Sequence, residues 1–264
     1  MKHHINGAEQ FVEEKGLGAP VILLHGFPLD HRMWQSQIDE LSANYRVITP
    51  DLRGMGQSDV PVSNISINQY ADDIITLMDK MGIEKAALGG FSMGGYVAFA
   101  LLRKAPKRFT GLILANTRPE ADEQEARKNR LNMAVSLYEK GSVVARDAML
   151  PKLITEPSKE AHPKLVDTLS MVMESMPAEG LVHACLAMAF REDSVDLLSS
   201  ISVPTLVIAG EQDPIAPPDV MKKMADQITG ASYHVIPAAS HLTPMEKPEA
   251  FNALLIDFLK GIKA

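Results

Sequence analysis

The chain has 264 residues, 46% of them hydrophobic and 22% charged, which is the make-up of an ordinary globular protein with enough length to bury a substantial core. Its net charge is −7, with no basic cluster, which argues against nucleic acid or an anionic membrane surface as partner. The single cysteine, Cys185, leaves no partner for an internal disulfide and no thiolate metal site, which fits a reducing, cytoplasmic compartment.

In chain order, "HHING" and "AEQFVEEKG" read as a hairpin around Asn6-Gly7. The N-terminus lacks the apolar stretch of a signal peptide. "PVILLHG" (20–26) is a continuous apolar run bounded by Pro and Gly, the pattern of a fully buried strand. Residues 31–43 carry Trp34, Ile38 and Leu41 at helical spacing, and "YRVITPD" (45–51) is the next buried strand. After the glycine-rich loop "LRGMGQSD", Ser66 and Gln69 predict a capping box opening a helix that ends at Gly82. "KAALGG" (85–90) predicts a strand, 93–105 a helix and "FTGLILAN" (109–116) a strand. This alternation implies a parallel sheet with helices on both faces.

The alternation stops at about residue 118. From there to 195 only helical segments are predicted, punctuated by Pro151, Pro157, Pro163 and Pro177 and rich in methionine, including Met171, Met173, Met176 and Met188. Most of these methionines are expected to pack the segment onto the core. Strand and helix patterns then resume: "PTLVIAG" (204–210), a helix over 217–229, "SYHVIP" (232–237), and a helix over 248–262 with Pro248 in its first turn. The expected organisation is a single domain over 1–264, with a core of 1–117 and 196–264 and a helical cap insertion over 118–195.

"LGGFSMGGYVAFA" (88–100) carries the chemistry. Gly90-Phe91-Ser92-Met93-Gly94 matches G-x-S-x-G between a predicted strand and a predicted helix, the context of a nucleophile elbow. The flanking glycines clear space where strand and helix approach, and Ser92 sits at a helix N-terminus that favours developing negative charge. A serine hydroxyl needs a base to take its proton. Of eight histidines, only His241, in "AASHLTPMEKP", lies in a loop directly after the last strand. Chain order Ser…Asp/Glu…His places the acid on a loop between them, and Asp213 in "IAGEQDPIAPP" fits best. Glu211, Glu120 and Asp122 are its competitors. Cys185, in an apolar helical run, reads as a buried thiol and not as a nucleophile.

With "LLHGFPLD", "TPDLRGMGQSD", "GGFSMGG", "VIAGEQDPIAP" and "AASHLTPMEKPEAF" in this order, the sequence resembles α/β-hydrolases of the serine-esterase branch. The form "GFSMGG" is similar to bacterial aryl esterases and cofactor-free perhydrolases, and the layout resembles 3-oxoadipate enol-lactonases. The resemblance covers about 20–116 and 196–262 and implies an α/β-hydrolase fold. It also implies an oxyanion hole from the amides of Phe27 and Met93, and a structural role for His25 and for the loop carrying Asp51. The expected activity is hydrolysis of small carboxylic esters through an acyl-serine, without metal or cofactor. Lactone hydrolysis and perhydrolysis use the same triad and stay open. A small-ligand binding or signalling protein of this fold is the alternative of another class. Trp34, Ile215 and Leu242 are candidates for the apolar substrate pocket near the triad.

Overall fold

The structure, a computed structural model, describes residues 1–63 and 65–262. Residues 263 and 264, at the end of the expected core, lie outside the described residues. Two strands, β1 (Lys2–Ile5) and β2 (Ala8–Lys15), pair antiparallel around Asn6 and Gly7, both at positive φ (47° and 81°), the conformation that tight two-residue hairpins require. Then follow β3 (Ala19–Leu24), α1 (Gln35–Leu41), β4 (Tyr45–Pro50), α2 (Ile67–Lys80), β5 (Ala86–Phe91), α3 (Met93–Lys104) and β6 (Phe109–Ala115). The expected helix over 31–43 divides: His31–Trp34 form a turn of 3-10 helix capped by the Asp30 carboxylate, and α1 begins after it.

The five helices α4 (Gln124–Lys140), α5 (Val143–Leu153), α6 (Glu156–Ala161), α7 (Pro163–Glu174) and α8 (Ala178–Ala189) separate β6 from β7 (Thr205–Gly210). Pro157, Pro163 and Pro177 stand at helix starts, but Pro151 lies inside α5, which runs on to Leu153. Met173, Met176 and Met188 are buried, whereas Met171 is exposed. The chain closes with α9 (Pro218–Asp226), β8 (Ser232–Ile236), α10 (Thr243–Glu246) and α11 (Pro248–Gly261).

The eight strands lie in the order β1-β2-β4-β3-β5-β6-β7-β8. From β4 to β8 all pairings are parallel, and β1 and β2 add antiparallel to the β4 edge. Strands β5 and β7 are buried along their whole length, which is why they read as apolar runs and not as alternation. This is the α/β-hydrolase architecture expected from the sequence. Loops at the carboxyl ends of β5, β6, β7 and β8 gather at one edge of the sheet, where open α/β sheets bind their ligands.

The capping box at α2 is only half made. Ser66 Oγ accepts from Gln69 N at 3.2 Å, but the Gln69 side chain donates to Asp73 instead of returning to the cap. Asp73 is buried and bonded at 2.7 Å by both Arg53 Nε and Arg53 Nη2, so it out-competes the cap for the amide.

Candidate active site

Between β5 and α3 the chain reverses in one residue. Ser92 has φ 51° and ψ −113°, a strained conformation for a residue with a side chain, of a kind that costs roughly 1–3 kcal/mol. Three hydrogen bonds hold it: Ser92 N donates to Ala115 O at 3.0 Å, while Ser92 O accepts from Gly95 N at 2.9 Å and from Thr117 Oγ1 at 2.8 Å. The turn closes so tightly that a Cβ on Gly90 would stand 2.4 Å from Gly94 O, and one on Gly94 would stand 2.3 Å from Leu24 O. Both contacts are with backbone, which cannot rotate away, so the flanking glycines follow from the geometry of the turn.

His241 joins the serine to the acid. Its Nε2 is 2.9 Å from Ser92 Oγ and its Nδ1 is 2.8 Å from Asp213 Oδ2. Because an ionised carboxylate only accepts, Nδ1 carries the proton, which leaves Nε2 free to accept from the Ser92 hydroxyl. Asp213 and His241 are 3% and 1% exposed, whereas Ser92 is partly accessible. Burial pushes the Asp213 carboxyl up. The charge and hydrogen bond of His241, with further bonds from Asn116 and Ala216, reverse this and hold the group below the usual carboxylate range. The Asp213 loop is pinned by its own carboxylate, since Oδ1 accepts from Ile215 N at 2.7 Å and Ala216 N at 3.0 Å. Arg118 Nη2 also donates to Ile215 O.

The competing acids are engaged elsewhere. Glu211 accepts from Ala238 N, and Asp122 lies between Arg130 and Arg191. Glu120 is exposed.

The Gly26 backbone lies against the same turn, where a Cβ would stand 3.1 Å from Ser92 Cβ. Among the described residues, neither the Phe27 N–H nor the Met93 N–H meets a protein acceptor. The preceding His25 is fully buried. Its Nε2 accepts from Leu52 N at 2.9 Å, and its Nδ1 donates to Gly26 O at 3.0 Å, so it ties the Gly26-Phe27 turn to the loop after β4. Burial holds its pKa below the ordinary imidazole value, consistent with a neutral ring that spans two backbone groups.

Asp30, His31 and Asp51 bring three possible ligand atoms within 4.8 Å of one another. Each carboxylate is already engaged. Arg32 Nη2 bonds Asp30 at 2.6 Å, while Asp51 accepts from His31 N, His31 Nδ1 and Gln57 N. The cluster braces the loop after β4 with its charges balanced inside the protein.

Of the expected pocket residues, Ile215 is half-buried beside Asp213. Leu242 is fully buried, and its N–H donates to Leu153 O at 2.7 Å. Trp34 stands one layer back: its ring meets Phe91 edge-on at 6.5 Å and Phe251 at 6.1 Å, and Phe91 in turn lies 5.0 Å from the His241 ring. Cys185 is buried in α8, and loss of solvation pushes its thiol up to about 12, the opposite of an activated nucleophile.

Sequence reasoning missed three buried polar residues around His241. Asn116 Nδ2 donates to Asp213 Oδ2 at 2.8 Å, and Thr243 Oγ1 donates to Asn116 Oδ1 at 2.6 Å. The Glu246 carboxylate accepts from Ser240 N on one oxygen, and from Thr155 N and Thr155 Oγ1 on the other. Ser240 Oγ also donates to Lys152 O. The loop carrying His241 is therefore bonded to residues 152–155 between β6 and β7. The only signal for α10 in "LTPME" was a proline followed by a glutamate, too little to separate one helical turn from loop.

A sheet of this order with a strained serine after β5 defines an α/β hydrolase. The chain belongs to that family: the model for the alpha/beta hydrolase fold matches residues 19–248. It is a hydrolase, and its relatives are of several kinds. It is 33% identical to 3-oxoadipate enol-lactonase 1 of Acinetobacter baylyi over 98% of this chain and 92% of that protein. A solved thermophilic esterase from Thermogutta terrifontis superposes with a TM-score of 0.95 at 42% identity, over 98% of this chain and 97% of that one. The enol-lactonase from Burkholderia xenovorans LB400 superposes with a TM-score of 0.92 at 31% identity, covering 98% and 100%. No helix among the described residues is long and apolar enough to cross a membrane.

Proposed function

We propose that this protein hydrolyses small carboxylic esters through an acyl-serine intermediate. The observation that carries the reading is the continuous hydrogen-bonded chain from Ser92 through His241 to Asp213. His241 Nε2 takes the Ser92 proton as Oγ attacks the ester carbonyl, and Asp213 stabilises the imidazolium and keeps the ring in the required tautomer. The oxyanion is received by the Phe27 and Met93 amides, the latter at the N-terminus of α3, and each such donor is typically worth ~10²–10³ in rate. His241 then protonates the departing alcohol. Water, activated by the same ring, attacks the acyl-serine and releases the acid. No step in this sequence requires a metal or an organic cofactor.

We also propose that residues 118–195 act as a cap over the site. Their bonds to Ser240, Leu242 and Glu246 support this, as does the approach of Met176 Sδ to Gly56 N at 3.3 Å. Ile215, which is half-buried, would line the apolar space between cap and serine, whereas Leu242 and Trp34 are fully buried and would back it. Hydrolysis of a lactone is the second reading, favoured by identity over nearly the whole chain to named enol-lactonases. In that case the leaving alcohol stays tethered to the acyl group, and the chemistry is otherwise the same.

The test is turnover of p-nitrophenyl acetate through hexanoate, and of a lactone panel, by the wild type and Ser92→Ala. Activity on esters that disappears in Ser92→Ala is expected. An inactive wild type on all esters and lactones would sink the proposal, and undiminished activity in Ser92→Ala would remove Ser92 as nucleophile.

A further inference from the structure

Asn116, immediately after β6, combines three unusual properties. It is fully buried, it has a positive φ of 47°, and both polar atoms of its side chain are bonded to the loops that carry Asp213 and His241. The orientation of its amide is settled by its neighbours. Asp213 Oδ2 can only accept, so the Asn116 nitrogen faces it, and the amide oxygen is left to accept from Thr243. Thr243 begins α10, two residues after His241. One amide thus bonds the acid directly and the base through the backbone that follows it. Asn is among the few residues with a side chain that adopt a left-handed backbone readily, and here that backbone also lets Asn116 N donate to Ile208 O at 2.9 Å.

Asp213 Oδ2 receives two donors, His241 Nδ1 and Asn116 Nδ2, each at 2.8 Å. Oδ1 receives the two backbone donors of its own loop. We propose that Asn116 is a positioning residue for hydrolysis: it holds the acid and base loops in register and, by sharing Oδ2, limits how strongly Asp213 stabilises the protonated imidazole. The inference rests on the roles proposed above for Ser92, His241 and Asp213. An apolar side chain would fill the same buried space, but it would suit the positive φ poorly and take the acceptor from the Thr243 hydroxyl. It would leave Oδ2 with one donor, concentrate charge on the oxygen facing Nδ1, and favour the imidazolium. The ring also meets the Ser92 hydroxyl and the Phe91 ring, and the further carboxylate bonded to its loop is Glu246, which accepts from Ser240 N at 2.6 Å. Neither substitution at 116 alters these groups.

Two variants separate the amide from the backbone. Asn116→Gly removes the amide and tolerates the positive φ. Asn116→Asp keeps the shape and sets a second carboxylate against Asp213. The acidic limb of kcat/KM for a p-nitrophenyl ester should move upward by about half a pH unit in the glycine variant, the usual effect of a lost donor, and by less than that in the aspartate variant, whose two touching carboxyl groups share one proton and so restore a donor to Oδ2. KM should stay within about threefold while kcat falls about tenfold, as for loss of an interaction made chiefly in the transition state. The downfield proton-NMR signal of the His241 Nδ1 proton, recorded in the Ser92→Ala background, should move in the glycine variant and move less in the aspartate variant. If the pH limb and the Nδ1 signal are both unmoved, the inference is overturned, whatever happens to the melting temperature. The NMR measurement needs no turnover. An ester assay that fails in the wild type would count against the proposed function and leave the Nδ1 signal to decide the role of Asn116.

Discussion

Replacing Asp213 with Asn exchanges one oxygen for nitrogen and should nearly silence the enzyme. Asp213 accepts four hydrogen bonds, from Ile215 N and Ala216 N on Oδ1 and from His241 Nδ1 and Asn116 Nδ2 on Oδ2. A carboxamide has one accepting atom and one donating group, so one side of the arrangement must fail. If its NH2 faced the loop, the buried Ala216 N–H and the partly buried Ile215 N–H would lose their acceptor, at about 1–3 kcal/mol for the buried one and less for the other. If it faces His241, only the bond from Asn116 is lost outright, because the imidazole can reverse its tautomer and accept on Nδ1. The second arrangement is the less costly, and it protonates Nε2, which then points a proton at Ser92 and cannot act as base. The expected loss in kcat is ~10⁴-fold, equivalent to about 5 kcal/mol of barrier. The assay is kcat/KM on a p-nitrophenyl ester, with a melting curve to show that the variant is folded. A folded Asp213→Asn protein within tenfold of wild type, alongside an inactive Ser92→Ala, would refute the claim that this carboxylate sets the histidine tautomer.

Gly94→Val should destabilise the fold, because its Cβ would stand 2.3 Å from Leu24 O; overpacking of 2–3 kcal/mol would lower Tm by about 5–10 °C, measured by calorimetry, and an unchanged Tm and rate would contradict the tight-turn explanation. Glu246→Ala leaves Thr155 N and Ser240 N without their acceptor, while Thr155 Oγ1 still has Ser158 Oγ at 2.9 Å, so a loss of about 2–4 kcal/mol in urea unfolding and faster proteolysis near residues 152–155 are expected. Wild-type behaviour in both would show that Glu246 does not tie this segment to the His241 loop. Burial disfavours charge on His31, but its hydrogen bond to Asp51 and the charge of that carboxylate prevail and raise its pKa above 6.5. That stabilisation is fully present below about pH 6.5 and is lost as pH rises through the folded value. Urea-measured stability should therefore fall less between pH 6 and 9 in His31→Gln than in wild type, and parallel profiles would remove His31 as the cause.

The residues that could be read from the chain are those whose neighbours in sequence constrain them. Apolar runs marked β3 to β7 because a strand buried on both faces must be apolar throughout. The glycines around Ser92 marked the turn because backbone clearance there permits no Cβ, and His241 and Asp213 followed from their positions just after strands. The pattern was weaker wherever a choice depended on distant partners. The Gln69 side chain goes to Asp73, and Pro151 rides inside α5, because contacts elsewhere in the fold outweigh local preference. Trp34 sits behind Phe91 because its indole fills the gap between Phe91 and Phe251, two rings 160 residues apart in the chain. Asn116 closes an apolar strand run, and Thr243 and Glu246 lie within the stretch after His241, where nothing in the pattern says which buried group each will meet. Local sequence determined the strands, the turn and the three side chains that the structure joins by hydrogen bonds, Ser92, His241 and Asp213. Only the tertiary structure decided which buried polar groups meet that chain of hydrogen bonds, because a buried donor or acceptor must find its partner in space and takes it from whichever element the fold brings near.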